Sequence, residues 1–224
     1  MPNDEFDYDD DFASDGHGQP RLAFLMDGSA FFFALMTGFK GNRFEYTEFL
    51  DMVAEDAAEF VDADVDALPY ELAYYFTSTD PNNEGQNKFN QFLESIGLDV
   101  ITETPWAADV CNRQLVEEEV FRHIRFDASI AYTLGFLGGS ESADHAVIVT
   151  DSFALRRPVL DAVEKGLGVT LAFFGQYLDP RWTQVINKYE NMRFLDLSDH
   201  ADRLFTGRKS EPVQERHGFP GLRK

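Results

Sequence analysis

Three aspartates, Asp27, Asp127 and Asp151, interrupt stretches that are otherwise apolar. Asp27 is the lone charge in "LAFLMDGSAFFFAL", Leu22 to Leu35. Asp151 follows Val147, Ile148 and Val149 in "AVIVTDSF", with Thr150 and Ser152 on either side as hydrogen-bond partners. Asp127, in "RHIRFDASIAYTL", reads as mid-helix, where Asp is a poor helix former. A local rule broken between apolar neighbours hints at function. Brought together by folding, three carboxylates repel, which is tolerable mainly if a cation sits between them. Carboxylate oxygens suit Mg²⁺ or Mn²⁺, and such an ion neutralises a phosphate and activates water. Each residue also has a structural reading. Asp27 and Asp151 are good helix caps, with Ser29 and Ala30 able to start a helix after Asp27. Asp127 fits a solvent-facing pair with Arg122 or Arg125.

The elements that must position these groups alternate along the chain. "RLAFLMDG", "ELAYYFTST", "LDVITET", "HAVIVTDS", "GVTLAFFG" and "MRFLDL" have the apolar density of buried strands. Between them lie helical patterns. "YTEFLDMVAEDAAEFV" sets Phe49, Val53, Ala57 and Phe60 on one side. "NKFNQFLESIGL" turns Phe89, Phe92, Leu93 and Ile96 inward. "QLVEEEVFRHIRFDASIAYTLGFL" reads as one long helix, with Val116, Val120, Ile124, Ile130 and Leu134 among its apolar positions. "LRRPVLDAVEKG" stops at Gly166, and "PRWTQVINKYE" precedes the last strand. Strands alternating with helices predict βαβ units and a mainly parallel sheet, hence a three-layer α/β/α sandwich, Rossmann-like. In such sheets ligands bind beyond the carboxyl ends of the strands. Asp27 and Asp151 are expected there, on neighbouring strands.

Composition narrows the setting. The 224 residues include 40 acidic and 19 basic side chains, a net charge of −21, which argues against a broad nucleic-acid face. Metal held by carboxylates inverts that field locally, so a nuclease is not excluded. Residues 1–19 read as a disordered acidic tail, residues 20–206 as one domain, and residues 207–224 as a loosely held basic tail. Tails of opposite charge offer contacts to each other, to a protein partner or to a second copy. No signal peptide or membrane-spanning run is read, and the single Cys111 excludes an internal disulfide; a cytoplasmic location is expected. His17, His123, His145, His200 and His217 make no metal-ligand spacing, and Cys111, Trp106 and Trp182 read as packing residues.

The order and spacing of "LAFLMDGSAFF", "FLESIGLDVITETP", "RFDASIAYTL" and "AVIVTDSFALRRPVLDAVEKGLGVTLAFF" resemble the NYN branch of the PIN-like nuclease superfamily, from about Arg21 to Leu171. The family's Asp-x-Asn corresponds to Asp27-Gly28-Ser29, with Ser in place of Asn. Its middle motif corresponds to Arg125-Phe126-Asp127, and its late motif to Val149-Thr150-Asp151-Ser152-Phe153, with Phe153 where a further acid is usual. The resemblance implies a PIN-like fold and a divalent ion, Mg²⁺ or Mn²⁺, held by Asp27, Asp127 and Asp151. It implies metal-dependent hydrolysis of RNA, single-stranded by expectation. Ser29, Thr150, Ser152 and Arg156 are then the candidate substrate-binding groups. The reduced acid set fits one ion rather than two, or a site that only binds.

Two other readings stay open. A non-catalytic PIN-like module that binds RNA or protein is compatible with the missing acid. A haloacid-dehalogenase-like phosphatase also begins with an apolar strand ending in Asp, but Ser29 stands where its second Asp is expected.

Overall fold

A computed structural model describes residues 20–78, 82–103, 126–140 and 142–207. Six strands form one all-parallel sheet in the order β4-β3-β1-β5-β6-β7. They are β1 (Leu22–Asp27), β3 (Tyr70–Ser78), β4 (Asp99–Glu103), β5 (His145–Val149), β6 (Gly168–Phe173) and β7 (Met192–Asp196). Among the described residues the helices are α1 (Gly28–Gly38), α2 (Tyr46–Val61), α3 (Glu84–Ser95), α4 (Asp127–Ser140), α5 (Arg156–Val163), α6 (Arg181–Ile186) and α7 (Ala201–Leu204). Helices flank both faces, so the fold is the expected α/β/α sandwich. Every residue of β1, β5 and β6 is buried, as central parallel strands require. None of the described helices is long and apolar enough to cross a membrane.

Topology fixes where a ligand can sit. From β1 the chain moves outward to β3 and β4, then returns to β5 on the other side of β1. The order therefore reverses between β1 and β5, and a crevice opens at their carboxyl ends. Register sets the level: Met26 pairs with Val149, so Asp27 lies level with Thr150.

The helices follow their sequence patterns. In α2, Phe49, Val53 and Ala57 are fully buried at a four-residue spacing. In α4, Ile130, Thr133, Leu134 and Leu137 face inward. Three expectations change. The long helix read through Asp127 instead has α4 beginning at Asp127, and an acid in a first turn is favoured by the helix dipole. Asp127 therefore breaks no helix-propensity rule. In α3 only Leu93 is fully buried, and Phe92 is exposed. A small antiparallel pair, β2 (Arg43–Phe44) with β8 (Phe205–Thr206), joins the end of the domain to the start of α2. Readings for residues 1–19, Trp106, Cys111, Val116, Val120, Arg122, His123, Ile124, Arg125 and residues 208–224 lie outside the described residues.

Among the described residues a polar network joins the sheet to α2 through His145, Thr170, Arg193 and Asp56. His145 Nε2 is 2.9 Å from Thr170 Oγ1, and the Thr170 hydroxyl lies 3.4 Å from Asp56 Oδ2. Arg193 donates to Thr170 and pairs with Asp56 at 2.5 Å. Burial, and secondarily the charge of Arg193, push the His145 imidazole down to about 3. The folded imidazole thus stays neutral while the unfolded one takes a proton below about 6.5. Stability contributed by neutral His145 is complete above that pH and declines as pH falls toward 3. Between pH 6.5 and 5 the loss is about 2 kcal/mol. Asp56 works the other way, because burial raises its pKa. His145→Gln is expected to remove the first dependence and keep the second. Urea unfolding at pH 7 and pH 5 checks this: equal pH dependence in parent and variant contradicts it.

Candidate functional site

Asp27 is the last residue of β1 and the N-cap of α1; its Oδ1 accepts from the Ala30 amide at 3.0 Å. The strand runs into the helix without a loop, so the carboxylate is held at the crevice, 1% exposed. The next residue must be small. A Cβ on Gly28 would lie 2.3 Å from the Tyr75 ring. Tyr75 is buried and hydrogen-bonded to Tyr46, and burial holds both phenols protonated, well above the usual range. The Asp27 charge adds to the shift on Tyr75.

Asp151 follows β5 by two residues. Its loop is held by side-chain caps: Thr150 Oγ1 accepts from the Ser152 amide at 3.1 Å, and Ser152 Oγ from the Ala154 amide at 3.3 Å. These bonds fix the turn that presents Asp151. Asp127 opens α4 from the neighbouring layer. Asp127 and Asp151 line one open cavity of about 480 Å³, together with Ser152, Asp179 and Arg181. Arg181 lies 4.2 Å above the Phe153 ring and grips Asp179 with two hydrogen bonds of 2.6 and 2.9 Å. Those bonds hold the Asp179 carboxyl down at about 2.

Asp127 and Asp151 therefore share a cavity, and Asp27 stands on the adjoining strand end without lining it. Among the described residues, no three acid, His or Cys side chains lie close enough together to hold an ion unaided. Ser152 lines the cavity, Thr150 is buried and does not line it, and Arg156 is exposed outside it, 5.9 Å from the Phe153 ring. Ser29 belongs to a different cavity, of about 590 Å³, over the carboxyl end of β3. Sequence reasoning passed over Asp179 and Arg181. Their signal was "LDPRW", an Asp-Pro before a helix start, which reads as a turn.

The donor chemistry fits a divalent ion. Mg²⁺ keeps much of its water shell and is usually bound through one or two carboxylates plus substrate phosphate, which two acids in an open cavity can provide.

No family model matches the chain, and no curated protein matches its sequence. The chain is similar in fold to a crystal structure of a Vibrio parahaemolyticus protein of unknown function. The TM-score is 0.59 at 13% identity, covering 85% of this chain and 98% of that one. At that identity the likeness speaks for the three-layer fold alone.

Proposed function

We propose that the protein is a divalent-metal-dependent endoribonuclease acting on single-stranded RNA in the cytoplasm. One observation carries the reading: Asp127 and Asp151 face the same open cavity beside the strand end that holds Asp27, at the point where strand order reverses. A bound Mg²⁺ or Mn²⁺ supplies charge neutralisation at the phosphate and makes water a stronger acid. Asp127 and Asp151 supply the anionic oxygens that hold it. Asp27, fixed as a helix cap, adds negative charge from the next strand and keeps the crevice selective for cations. Arg181, stacked on Phe153 and tied to Asp179, offers a positioned guanidinium to an RNA phosphate at the cavity rim. Ser152 offers a hydroxyl to the same group.

A second reading, a module that binds RNA without cutting it, draws on the absence of a three-acid cluster among the described residues. One experiment separates the two. The protein is incubated with an end-labelled single-stranded RNA in Mn²⁺, in Mg²⁺ and in EDTA, and with a chromogenic phosphomonoester. Cleavage of RNA that needs Mn²⁺ or Mg²⁺, with no phosphomonoester turnover, is the expected result. RNA binding without cleavage in any metal selects the module, and neither binding nor cleavage overturns both.

A further inference from the structure

The larger cavity, of about 590 Å³, has a makeup unlike the rest of this acidic surface. Its lining combines carboxamides with aromatic rings, and no carboxylate of the described residues contributes to it. Asn83, the N-cap of α3, and Gln86 and Asn90 within it follow at spacings of three and four residues, which puts them on one side of the helix. Phe32 and Phe89 supply rings, and Phe32 is 59% exposed on α1. Lys40 supplies a cation, so the one charge that the described residues bring to the lining is positive, in a chain of net charge −21.

Position adds to chemistry. Gly28 and Ser29, the residues directly after Asp27, form part of the wall. Thr77 and Ser78, at the carboxyl end of β3, form another part. The cavity therefore lies on the β3 side of Asp27, and the Asp127–Asp151 cavity on the β5 side. Asn83 and Gln86 are partly committed: Asn83 Oδ1 caps α3 through the Gln86 amide at 3.1 Å, and Gln86 Nε2 donates to the Ser78 carbonyl. Asn90 differs. Its Oδ1 is buried with no hydrogen-bond partner among the described residues. A buried amide acceptor left unmade calls for a donor, and the last torsion of Asn is soft enough to present either end of the amide.

We infer that this cavity binds a nucleobase, with Phe32 stacking on its face, Asn90 bonding its edge and Lys40 meeting the attached phosphate. The volume lies within the usual range for small-ligand pockets. Rings that stack and amides that bond a base edge are how single-stranded RNA is read. A simple hydrocarbon leaves the Asn90 acceptor unmet and does not use Lys40. The inference rests on the proposed action on RNA and adds to it the means of choosing a base beside the cleaved bond.

The test is calorimetric titration of the full chain with AMP, GMP, CMP and UMP, and with decanoate as an apolar control, in EDTA, so that metal and cleavage play no part. At least one mononucleotide is expected to bind with a Kd near or below about 1 mM, in preference to the others. Phe32→Ala removes an exposed ring and Asn90→Leu an amide of similar size. Each is expected to weaken that binding about tenfold or more, with circular dichroism unchanged. Binding by none of the four, binding unaltered in both variants, or tighter binding of decanoate overturns the inference. Cleavage without mononucleotide binding sinks the base pocket alone. Mononucleotide binding without cleavage sinks the nuclease reading and leaves the pocket standing.

Discussion

Asp151→Asn is expected to lower Mn²⁺-supported RNA cleavage about a hundredfold or more, while thermal stability stays within about 2 °C of the parent. The substitution removes one negative charge and almost no volume. Asp151 is half-buried at the cavity, and the caps that hold its loop come from Thr150 and Ser152, which remain. Ligand charge sets divalent affinity, so Mn²⁺ binding and cleavage fall together. Asp27 separates charge from architecture in the same assay. Asn caps helices about as well as Asp, so Asp27→Asn keeps the bond from the Ala30 amide. Asp27→Ala loses it, at about 1 kcal/mol of stability. Both Asp27 variants are expected to lose cleavage, and only the alanine to lose stability. Cleavage by Asp151→Asn at the parental rate, with Mn²⁺ affinity unchanged, removes Asp151 from the site and the proposed reaction with it.

The strands were legible because parallel strands buried on both faces leave continuous apolar runs, as in Ala23–Met26 and Ala146–Val149. Their carboxyl ends were legible too, since a charge within two residues after such a run marks the point where the strand leaves the sheet. Asp27 and Asp151 could therefore be placed on neighbouring strand ends from the sequence. Asp127 was misplaced along its helix. The apolar period of α4 continues backward in the sequence through Ile124 and Val120, and nothing between them punctuates a start. The second cavity was hidden for another reason. The reading of α3 followed its apolar residues inward, whereas Phe89 lines a cavity and Phe92 is exposed. Its carboxamides sit on the side that pattern reading assigns to solvent. Arg181 and Asp179 depend on a fold-level approach of two loops, and no local spacing reports that.

Phe31→Ala is the substitution expected to cost most in stability, about 3–5 kcal/mol. Phe31 is fully buried in α1, four residues past the Asp27 cap. Five rings surround it. Phe44 and Phe173 meet it edge-on at 5.0 and 6.2 Å, Phe49 and Phe174 stack at 5.7 and 5.6 Å, and Tyr46 lies at 6.4 Å. These partners come from the β2 strand, from α2 and from the end of β6, so one side chain ties α1 to three other parts of the fold. Truncation removes the transfer energy of the ring and leaves a cavity that rigid neighbours cannot close. Phe33→Ala, two positions on and 45% exposed, is the control, expected to cost less than about 1 kcal/mol. Urea unfolding of the two variants reads the difference directly. The consequence reaches the site, because α1 carries Asp27 at its cap and Gly28 and Ser29 in its first turn. A looser α1 shifts that cap relative to β5, so Phe31→Ala is also expected to weaken Mn²⁺-supported cleavage at temperatures where the protein is still folded. Equal stability losses for Phe31→Ala and Phe33→Ala would show that the aromatic cluster does not anchor α1.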